Sequence, residues 1–325
     1  MHILVTGAAG MIGRKLVARL VSDGKLNGQT IARLTLTDVV APETPRDFGG
    51  AVETSTSDLS AAGAAVKAVA SKPDVIFHLA GVVSGEAEID FEKGYRVNLD
   101  GTRALFEAAR SADYKPKIVF TSSIAVYGAP FPPSIPDDFH LTPLTSYGTQ
   151  KAICELLLAD YTRRGFFDGV GIRLPTICVR PGKPNKAASG FFSGIIREPL
   201  AGQEALLPVA ESIRHTHASP RAAVGFLIHA AGLTREQLGP RINLAMPGVS
   251  CTVGEQIDAL RRVAGDKVAA RIRREPDQLV QRIVAGWAER LDGKRARDLG
   301  FQAESTFDDI IRVHIQDELG GRIAD

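Results

Sequence analysis

Two side chains near the middle of the chain have the spacing of a proton-transfer pair. Tyr147 and Lys151 are four residues apart, so they share one face if this segment is helical. A lysine ammonium beside a phenol favours the phenolate, and a phenolate can take a proton from an alcohol. The spacing alone is weak evidence, because many surface helices carry such a pair. Its meaning depends on the elements that surround it.

A hydroxyl donor for the same chemistry precedes the pair. Thr121, Ser122 and Ser123 follow an apolar run, and residues 117–122 are predicted to form a strand. A hydroxyl at the end of that strand can hold a substrate oxygen against the tyrosine.

The first residues of the chain predict a dinucleotide-binding turn. Residues 1–6 are apolar and β-branched, as in a buried parallel strand. Gly7, Gly10 and Gly13 follow with two residues between neighbours, and Met11 and Ile12 fill the second gap. Glycines at such a turn let the backbone approach a pyrophosphate, and the N-terminus of the following helix stabilises its charge.

An acidic residue ends the second predicted strand, residues 33–38. Asp38 can accept hydrogen bonds from both hydroxyls of an adenosine ribose, and its charge would repel a 2′-phosphate. Val39, Val40 and Ala41 follow, and none of them offsets that charge. The sequence therefore predicts NAD rather than NADP as the cofactor.

The composition excludes several classes of protein. The 325 residues include 39 Lys and Arg against 37 Asp and Glu, for a net charge of +2, so we expect no nucleic-acid partner. Cys154, Cys178 and Cys251 lack metal-ligand spacing and predict reduced thiols and no metal. The first strand begins at Met1 and no apolar run has membrane-spanning length, so we expect a cytoplasmic protein without a membrane partner.

Strand and helix patterns alternate along the chain. Strands are predicted at residues 75–80, 117–122 and 170–174, with helices at 95–109 and 146–164 between and after them. This alternation predicts an α/β fold, a Rossmann-type doubly wound parallel sheet with a smaller mixed C-terminal substrate lobe. Ligands in such sheets bind at the carboxyl ends of the strands.

We expect two domains. Residues 1–180, with a return segment at about 213–246, would form the NAD-binding domain, and residues 181–212 and 247–325 the substrate lobe.

With these motifs in place, the chain resembles the extended short-chain dehydrogenase/reductases, the NAD-dependent epimerase/dehydratase family. The resemblance spans nearly the whole chain and is specific in its first 180 residues. It implies further cofactor-binding residues, namely Asp58 and Leu59 at the adenine, Leu79, Ala80 and Gly81 after His78, Asn98 in the central helix, and Pro175 after the sixth strand. It also implies that Ser123 is the catalytic hydroxyl and that Tyr147 and Lys151 are the family's catalytic pair.

The resemblance implies a mechanism as well. Lys151 would bind the nicotinamide ribose and favour the phenolate of Tyr147, which would act as the base. Ser123 would donate to the substrate oxygen, and NAD would accept the hydride.

Departures from the family pattern lie on the substrate side. Pro175, Thr176 and Ile177 stand where the family often has Asn, and residues 216–221 replace its His-Val-x-Asp segment. Here the chain is similar to the branch of D-erythronate dehydrogenases. That similarity implies oxidation of a four-carbon sugar acid at the C2 hydroxyl.

Candidate substrate-binding residues follow from this chemistry. Ser123 and Tyr147 would hold the reacting hydroxyl, with Ser84 and Thr176 as further polar contacts. Arg180 can bind a carboxylate through its guanidinium fork, although a loop-anchoring salt bridge is an equal alternative. We expect His78, at a buried strand end, to be a hydrogen-bonding residue rather than a base.

Three functions remain open from the sequence. They are an NAD-dependent dehydrogenase of a small sugar acid, an NDP-sugar epimerase or dehydratase with bound NAD, and a binding protein that senses NAD without turnover. The intact Ser, Tyr and Lys set argues against the third. The family commonly pairs through the helices at residues 95–109 and 146–164, which implies a homodimer.

Overall fold

The structure is a computed structural model that describes residues 1–182 and 189–324. It divides into two compact units. The first comprises Met1–Val126, Pro143–Arg173 and Val224–Leu244, and the second comprises Tyr127–Thr142, Leu174–Ala223 and Ala245–Asp325. The predicted lobe segment 181–212 includes residues 183–188, which lie outside the described residues. The predicted domain boundaries stay a prediction.

Strands and helices alternate through most of the chain. The strands are β1 (His2–Thr6), β2 (Lys25–Leu26), β3 (Gln29–Thr30), β4 (Arg33–Asp38), β5 (Ala51–Thr56), β6 (Val75–His78), β7 (Lys117–Ser123), β8 (Asp168–Leu174), β9 (Thr176–Ile177), β10 (Ala205–Leu207), β11 (Arg214–Ala218), β12 (Asn243–Ala245), β13 (Val249–Thr252) and β14 (Ile272–Arg274). The α-helices are α1 (Met11–Asp23), α2 (Ala64–Val69), α3 (Ser84–Ile89), α4 (Phe91–Gly94), α5 (Gly101–Ser111), α6 (Ser146–Arg163), α7 (Gly190–Leu200), α8 (Pro220–Gly232), α9 (Arg235–Leu238), α10 (Val253–Ala264), α11 (Asp266–Ala269), α12 (Gln278–Ala285), α13 (Lys294–Asp298) and α14 (Phe307–Glu318). A 3₁₀ turn covers Ile124–Val126.

A seven-stranded sheet in the order β12-β8-β7-β6-β1-β4-β5 organises the first unit. β1 pairs in parallel with β4 and β6, and β4–β5 and β6–β7 are parallel too. Ile3, Leu4 and Val5 of the central strand are fully buried. The strand order reverses between β1 and β6, so the carboxyl ends of these two strands border the crevice in which sheets of this kind bind ligands. The predicted Rossmann-type fold is confirmed.

The helix that carries Tyr147 and Lys151 begins where a side chain satisfies its first turn. The Thr145 hydroxyl accepts from the Gly148 N–H at 3.1 Å, so it serves as the N-cap of α6. Tyr147 therefore lies in the first turn and Lys151 one turn later, on the same face.

The helix predicted at residues 95–109 differs in two ways. The helical stretch begins earlier, at Phe91, where the Asp90 side chain caps α4 by accepting from the Lys93 N–H at 3.0 Å. A π-helical turn at Tyr95–Asp100 then precedes α5. Apolar periodicity does not distinguish π from α hydrogen bonding, so the sequence could not reveal this turn.

The edge strand β5 was not predicted. Its residues are mostly exposed and polar, so it lacks the apolar signal that identifies buried strands.

The second unit has smaller sheets and its own core. A three-stranded sheet has the order β13-β11-β9, and β10 pairs in parallel with β14. A buried cluster that includes Phe192, Ile257 and Ile311 joins residues from α7, α10 and α14.

Among the described residues, no helix combines the length and the apolar character that a membrane crossing needs.

Candidate active site

The glycine turn after β1 is shaped by close backbone approaches. Gly7 has φ +75°, and a Cβ there would lie 2.7 Å from the Ala80 nitrogen. A Cβ at Gly13 would lie 2.1 Å from the Gly7 carbonyl oxygen. Both approaches require glycine, because side-chain carbons do not come this near to backbone atoms. The turn therefore brings the N-terminus of α1 and bare backbone to one place, which fits a pyrophosphate.

Asp38 is held against this turn. One carboxylate oxygen, Oδ2, accepts from the Ala9 N–H at 2.9 Å, and Oδ1 accepts from the Val39 N–H at 2.7 Å. The half-buried carboxylate thus stays at the carboxyl end of β4, beside the phosphate-binding turn. This is the position from which an acid receives ribose hydroxyls.

Asp58 lies just beyond β5 and is part of a small polar cluster. Its Oδ1 accepts from the backbone and hydroxyl of Ser60 at 2.9 and 2.6 Å, and its Oδ2 is 2.8 Å from Arg96 Nη1. Partial burial opposes ionisation, but the Ser60 hydrogen bonds and the Arg96 charge hold the pKa of Asp58 below its ordinary value. The sequence did not reveal Arg96, which lies 38 residues from Asp58.

The uncharged ring of His78 hydrogen-bonds Thr6 of β1 and Thr102 of α5, as expected for a hydrogen-bonding residue. The Thr102 hydroxyl donates to the Asn98 carbonyl at 2.6 Å, so it must accept from His78 Nε2–H at 2.9 Å. Nδ1 then accepts from the Thr6 hydroxyl at 2.7 Å. Burial, with the Lys151 charge, lowers the pKa of His78 to about 3, so the ring stays uncharged.

Asn98 fixes the backbone beyond β6. Its side-chain Oδ1 accepts from the Val82 N–H at 2.8 Å, and Nδ2 donates to Gln150 Oε1 at 2.8 Å. A Cβ at Gly81 would lie 2.9 Å from Asn98 Oδ1, so a side chain there would displace the Asn98 amide from these hydrogen bonds.

Lys151 is the buried cation of the site. Its Nζ donates to the Thr121 carbonyl at 2.8 Å and lies 5.8 Å from the centroid of the Tyr147 ring. Burial lowers the pKa of Lys151 to about 8, and the nearby Glu155 carboxylate acts in the opposite direction. The amine is therefore mainly protonated at neutral pH, yet its charge is easily changed by its surroundings.

Ser123 ends β7, two residues after the carbonyl that binds Lys151. Its Oγ accepts from the Ala125 N–H at 3.1 Å. A Cβ at Gly148 would lie 2.1 Å from the Ala125 carbonyl oxygen, so the first turn of α6 packs closely on this segment. The structure thus brings the segment of Ser123 beside the turn that carries Tyr147.

The remaining predicted residues of the first unit occupy the same end of its strands. Met11 and Ile12 open α1, Leu59 is buried beyond β5, Leu79, Ala80 and Gly81 follow β6, and Ser84 opens α3.

The other candidate residues belong to the second unit. His215 Nδ1 lies 2.9 Å from the Ala288 carbonyl and so donates, which leaves Nε2 to accept from the Thr176 hydroxyl at 2.8 Å. Arg180 donates from Nε to the Ile177 carbonyl at 3.0 Å and from Nη2 to the Ser189 hydroxyl at 3.1 Å. Pro175 directly precedes Thr176.

A buried ion pair lies behind the segment that carries Ser123, and the sequence did not predict it. Glu155 and Arg173 are 2.7 Å apart at their nearest atoms, and their side chains are 1% and 9% exposed. The only local signal is that Glu155 follows Lys151 by four residues, and the partner is 18 residues further on.

Within the described ranges, no three His, Cys, Asp or Glu side chains cluster as metal ligands.

Comparisons with known proteins agree with this geometry. The model of the NAD dependent epimerase/dehydratase family matches residues 3–215. A D-erythronate dehydrogenase of Cupriavidus necator is 50% identical over 321 residues, 98% of each chain. A second, from Haemophilus influenzae, is 40% identical over 97% of this chain and 99% of its own. A crystal structure described as a nucleoside-diphosphate-sugar epimerase from Agrobacterium tumefaciens has a TM-score of 0.98 at 67% identity, over 100% of this chain and 96% of that chain.

The chain therefore belongs to the NAD-dependent epimerase/dehydratase family. This confirms the predicted membership of the extended short-chain dehydrogenase/reductases. It also confirms the predicted enzyme class, an NAD-dependent dehydrogenase, and the predicted cofactor, NAD. The individual site residues stay predictions.

The glycine turn yields a first test. We expect Gly13→Ala to abolish NAD binding, because its Cβ would displace the turn at the Gly7 carbonyl. Calorimetric titration with NAD measures the loss. Gly225→Ala is the matched control, since this exposed glycine in α8 has no atoms within 4 Å of an added Cβ. Full NAD affinity in Gly13→Ala would contradict the assignment of the turn.

Proposed function

We propose that the protein is an NAD-dependent dehydrogenase that oxidises the C2 hydroxyl of a small sugar acid, D-erythronate to 2-oxo-tetronate. The observation that carries the proposal is the buried Lys151 amine beside the Tyr147 ring, at the end of the strand that bears Ser123. The full-length similarity to two D-erythronate dehydrogenases supports the substrate.

Lys151, Tyr147 and Ser123 divide the work of the proposed reaction. Lys151 binds the nicotinamide ribose hydroxyls and, as an ammonium, favours the phenolate of Tyr147. Tyr147 takes the proton of the substrate hydroxyl, and Ser123 donates to the same oxygen and fixes its position. When bound, NAD supplies the ring that takes up the hydride.

The proposed NAD site uses the residues at the carboxyl ends of the strands. Gly7, Gly10 and Gly13 receive the pyrophosphate and Asp38 the adenosine ribose, with Asp58 at the adenine. The close approaches at Gly7 and Gly13 and the fixed carboxylate of Asp38 support these roles. The other proposed contacts are Met11, Ile12, Leu59, Leu79, Ala80, Gly81, Asn98, Tyr147, Lys151 and Pro175.

The proposed substrate contacts, besides Ser123 and Tyr147, are Ser84, Thr176 and Arg180. Thr176 gives its proton to His215, so its oxygen would accept a hydrogen bond from a substrate hydroxyl. Arg180 is held by a carbonyl and a hydroxyl, which favours a fixed guanidinium that could receive a carboxylate.

We further propose that the protein is a cytoplasmic homodimer. The three cysteines are free and buried, which supports a reducing compartment. Leu156 on α6 is 66% exposed, and Tyr161 of α6 hydrogen-bonds Glu107 of α5, so α6 packs beside α5 and also carries an uncovered apolar residue. A second copy of the chain can cover Leu156 by two-fold symmetry.

Net NADH formation tests the proposed reaction. We expect D-erythronate to yield NADH, followed as absorbance at the NADH band, and UDP-sugars to yield none, because oxidation without return of the hydride releases reduced cofactor. Stereoisomeric four-carbon acids in the same assay measure selectivity. Conversion of UDP-sugars without net NADH would instead establish the epimerase alternative.

Tyr147→Phe tests the base. We expect kcat to fall by at least about 10²-fold, the usual contribution of a positioned general base, with NAD affinity near normal. Tyr114→Phe is the control, because this buried phenol has no hydrogen-bond partner among the described residues and is not one of the proposed site residues. Retention of most activity in Tyr147→Phe would exclude Tyr147 as the base.

Leu156→Glu tests the dimer. Two charges introduced about the symmetry axis should split the dimer into monomers, as measured by light scattering after gel filtration. Leu279→Glu, at a 59% exposed position of α12, should leave the dimer intact. A monomeric wild-type protein would refute the proposal.

A further inference from the structure

Glu155 and Arg173 have no task in the mechanism above, yet burying two charges is costly unless their geometry is well satisfied. Here it is satisfied. Arg173 Nε donates to both carboxylate oxygens at 2.9 and 3.1 Å, and Nη2 donates to Oε2 at 2.7 Å. This leaves Glu155 a fixed acceptor in the interior of the first unit.

The fixed carboxylate receives one more hydrogen bond, from the catalytic strand. The Ser122 hydroxyl donates to Glu155 Oε1 at 2.5 Å, and Ser122 is 3% exposed. Ser122 lies between Thr121, whose carbonyl receives Lys151, and Ser123. Because side chains alternate along a strand, Ser122 extends to the face opposite that of its two neighbours.

Helix α6 therefore holds the end of β7 at two points one turn apart. Lys151 contacts the Thr121 carbonyl and Glu155 contacts the Ser122 hydroxyl. Two contacts from one helix restrain the position and the rotation of the strand end more than one would, and they add to the hydrogen bond that Thr121 Oγ1 donates to the His78 carbonyl at 3.0 Å. The rotation decides where Ser123 directs its hydroxyl.

We propose that Glu155, held by Arg173, is a positioning residue that aligns Ser123 and the Lys151 amine for catalysis through the Ser122 hydroxyl. The inference rests on the proposed function, because it assigns Ser123 and Lys151 their tasks. Neither Glu155 nor Arg173 touches substrate or cofactor in this account.

Ser122→Ala is the sharpest test, because it removes the contact and leaves the ion pair intact. We expect kcat with D-erythronate to fall by about 10²-fold, the effect of a small misplacement of catalytic groups, with NAD affinity and melting temperature little changed. The matched control is Thr162→Ala, which also removes one buried hydroxyl, here on α6, where it accepts from the Gly169 N–H. A merely structural hydroxyl would give the same result at both positions.

The double variant Glu155→Met/Arg173→Met gives a second measurement. It replaces the ion pair by apolar side chains, an exchange that folded proteins often tolerate. We expect it to show the kcat loss of Ser122→Ala, and a folded double variant with wild-type kcat would overturn the inference.

Hydrogen exchange separates this inference from the proposed function. Amides of residues 121–125 should exchange faster in Ser122→Ala than in wild type or Thr162→Ala, whatever the substrate. If the wild type oxidises no sugar acid, the proposed function fails, and faster exchange still supports the positioning role. Unchanged exchange, or a wild-type kcat in Ser122→Ala, overturns it.

Discussion

The hydrogen bond from the Lys151 amine to the Thr121 carbonyl is the interaction on which the site depends. A buried ammonium is unfavourable, and burial brings the pKa of Lys151 down to about 8. A cation so close to its titration point responds strongly to each nearby charge. The charges of the groups around Lys151 therefore matter as much as the lysine itself. Two such groups are the uncharged ring of His78 and the Glu155 carboxylate, one turn further along the helix.

His78 shows how the surroundings are kept compatible with that cation. A second positive charge beside Lys151 would repel it, and the pKa of His78, lowered to about 3, prevents one from forming. The hydrogen bonds that fix its tautomer also join β1, through Thr6, to the turn that holds Asn98. The same ring thus links β1, which precedes the glycine turn, to the helical stretch that carries Asn98 and Thr102.

The parts of the site that the sequence predicted are those that depend on local spacing. The three glycines, Asp38 at a strand end, and Tyr147 and Lys151 on one helical face follow from neighbours along the chain. Contacts between distant residues could not be predicted in this way. The Arg173 ion pair with Glu155 and the Arg96 contact with Asp58 join separate elements, and the polar edge strand β5 carries no apolar signal.

A crystal structure of the enzyme with NAD and D-erythronate tests the central claim most directly. The account predicts the Lys151 amine within hydrogen-bonding distance of the nicotinamide ribose and the Tyr147 hydroxyl on the C2 oxygen of the acid. A complex in which that ring faces away from the substrate, or in which the amine lies out of reach of the ribose, would contradict it.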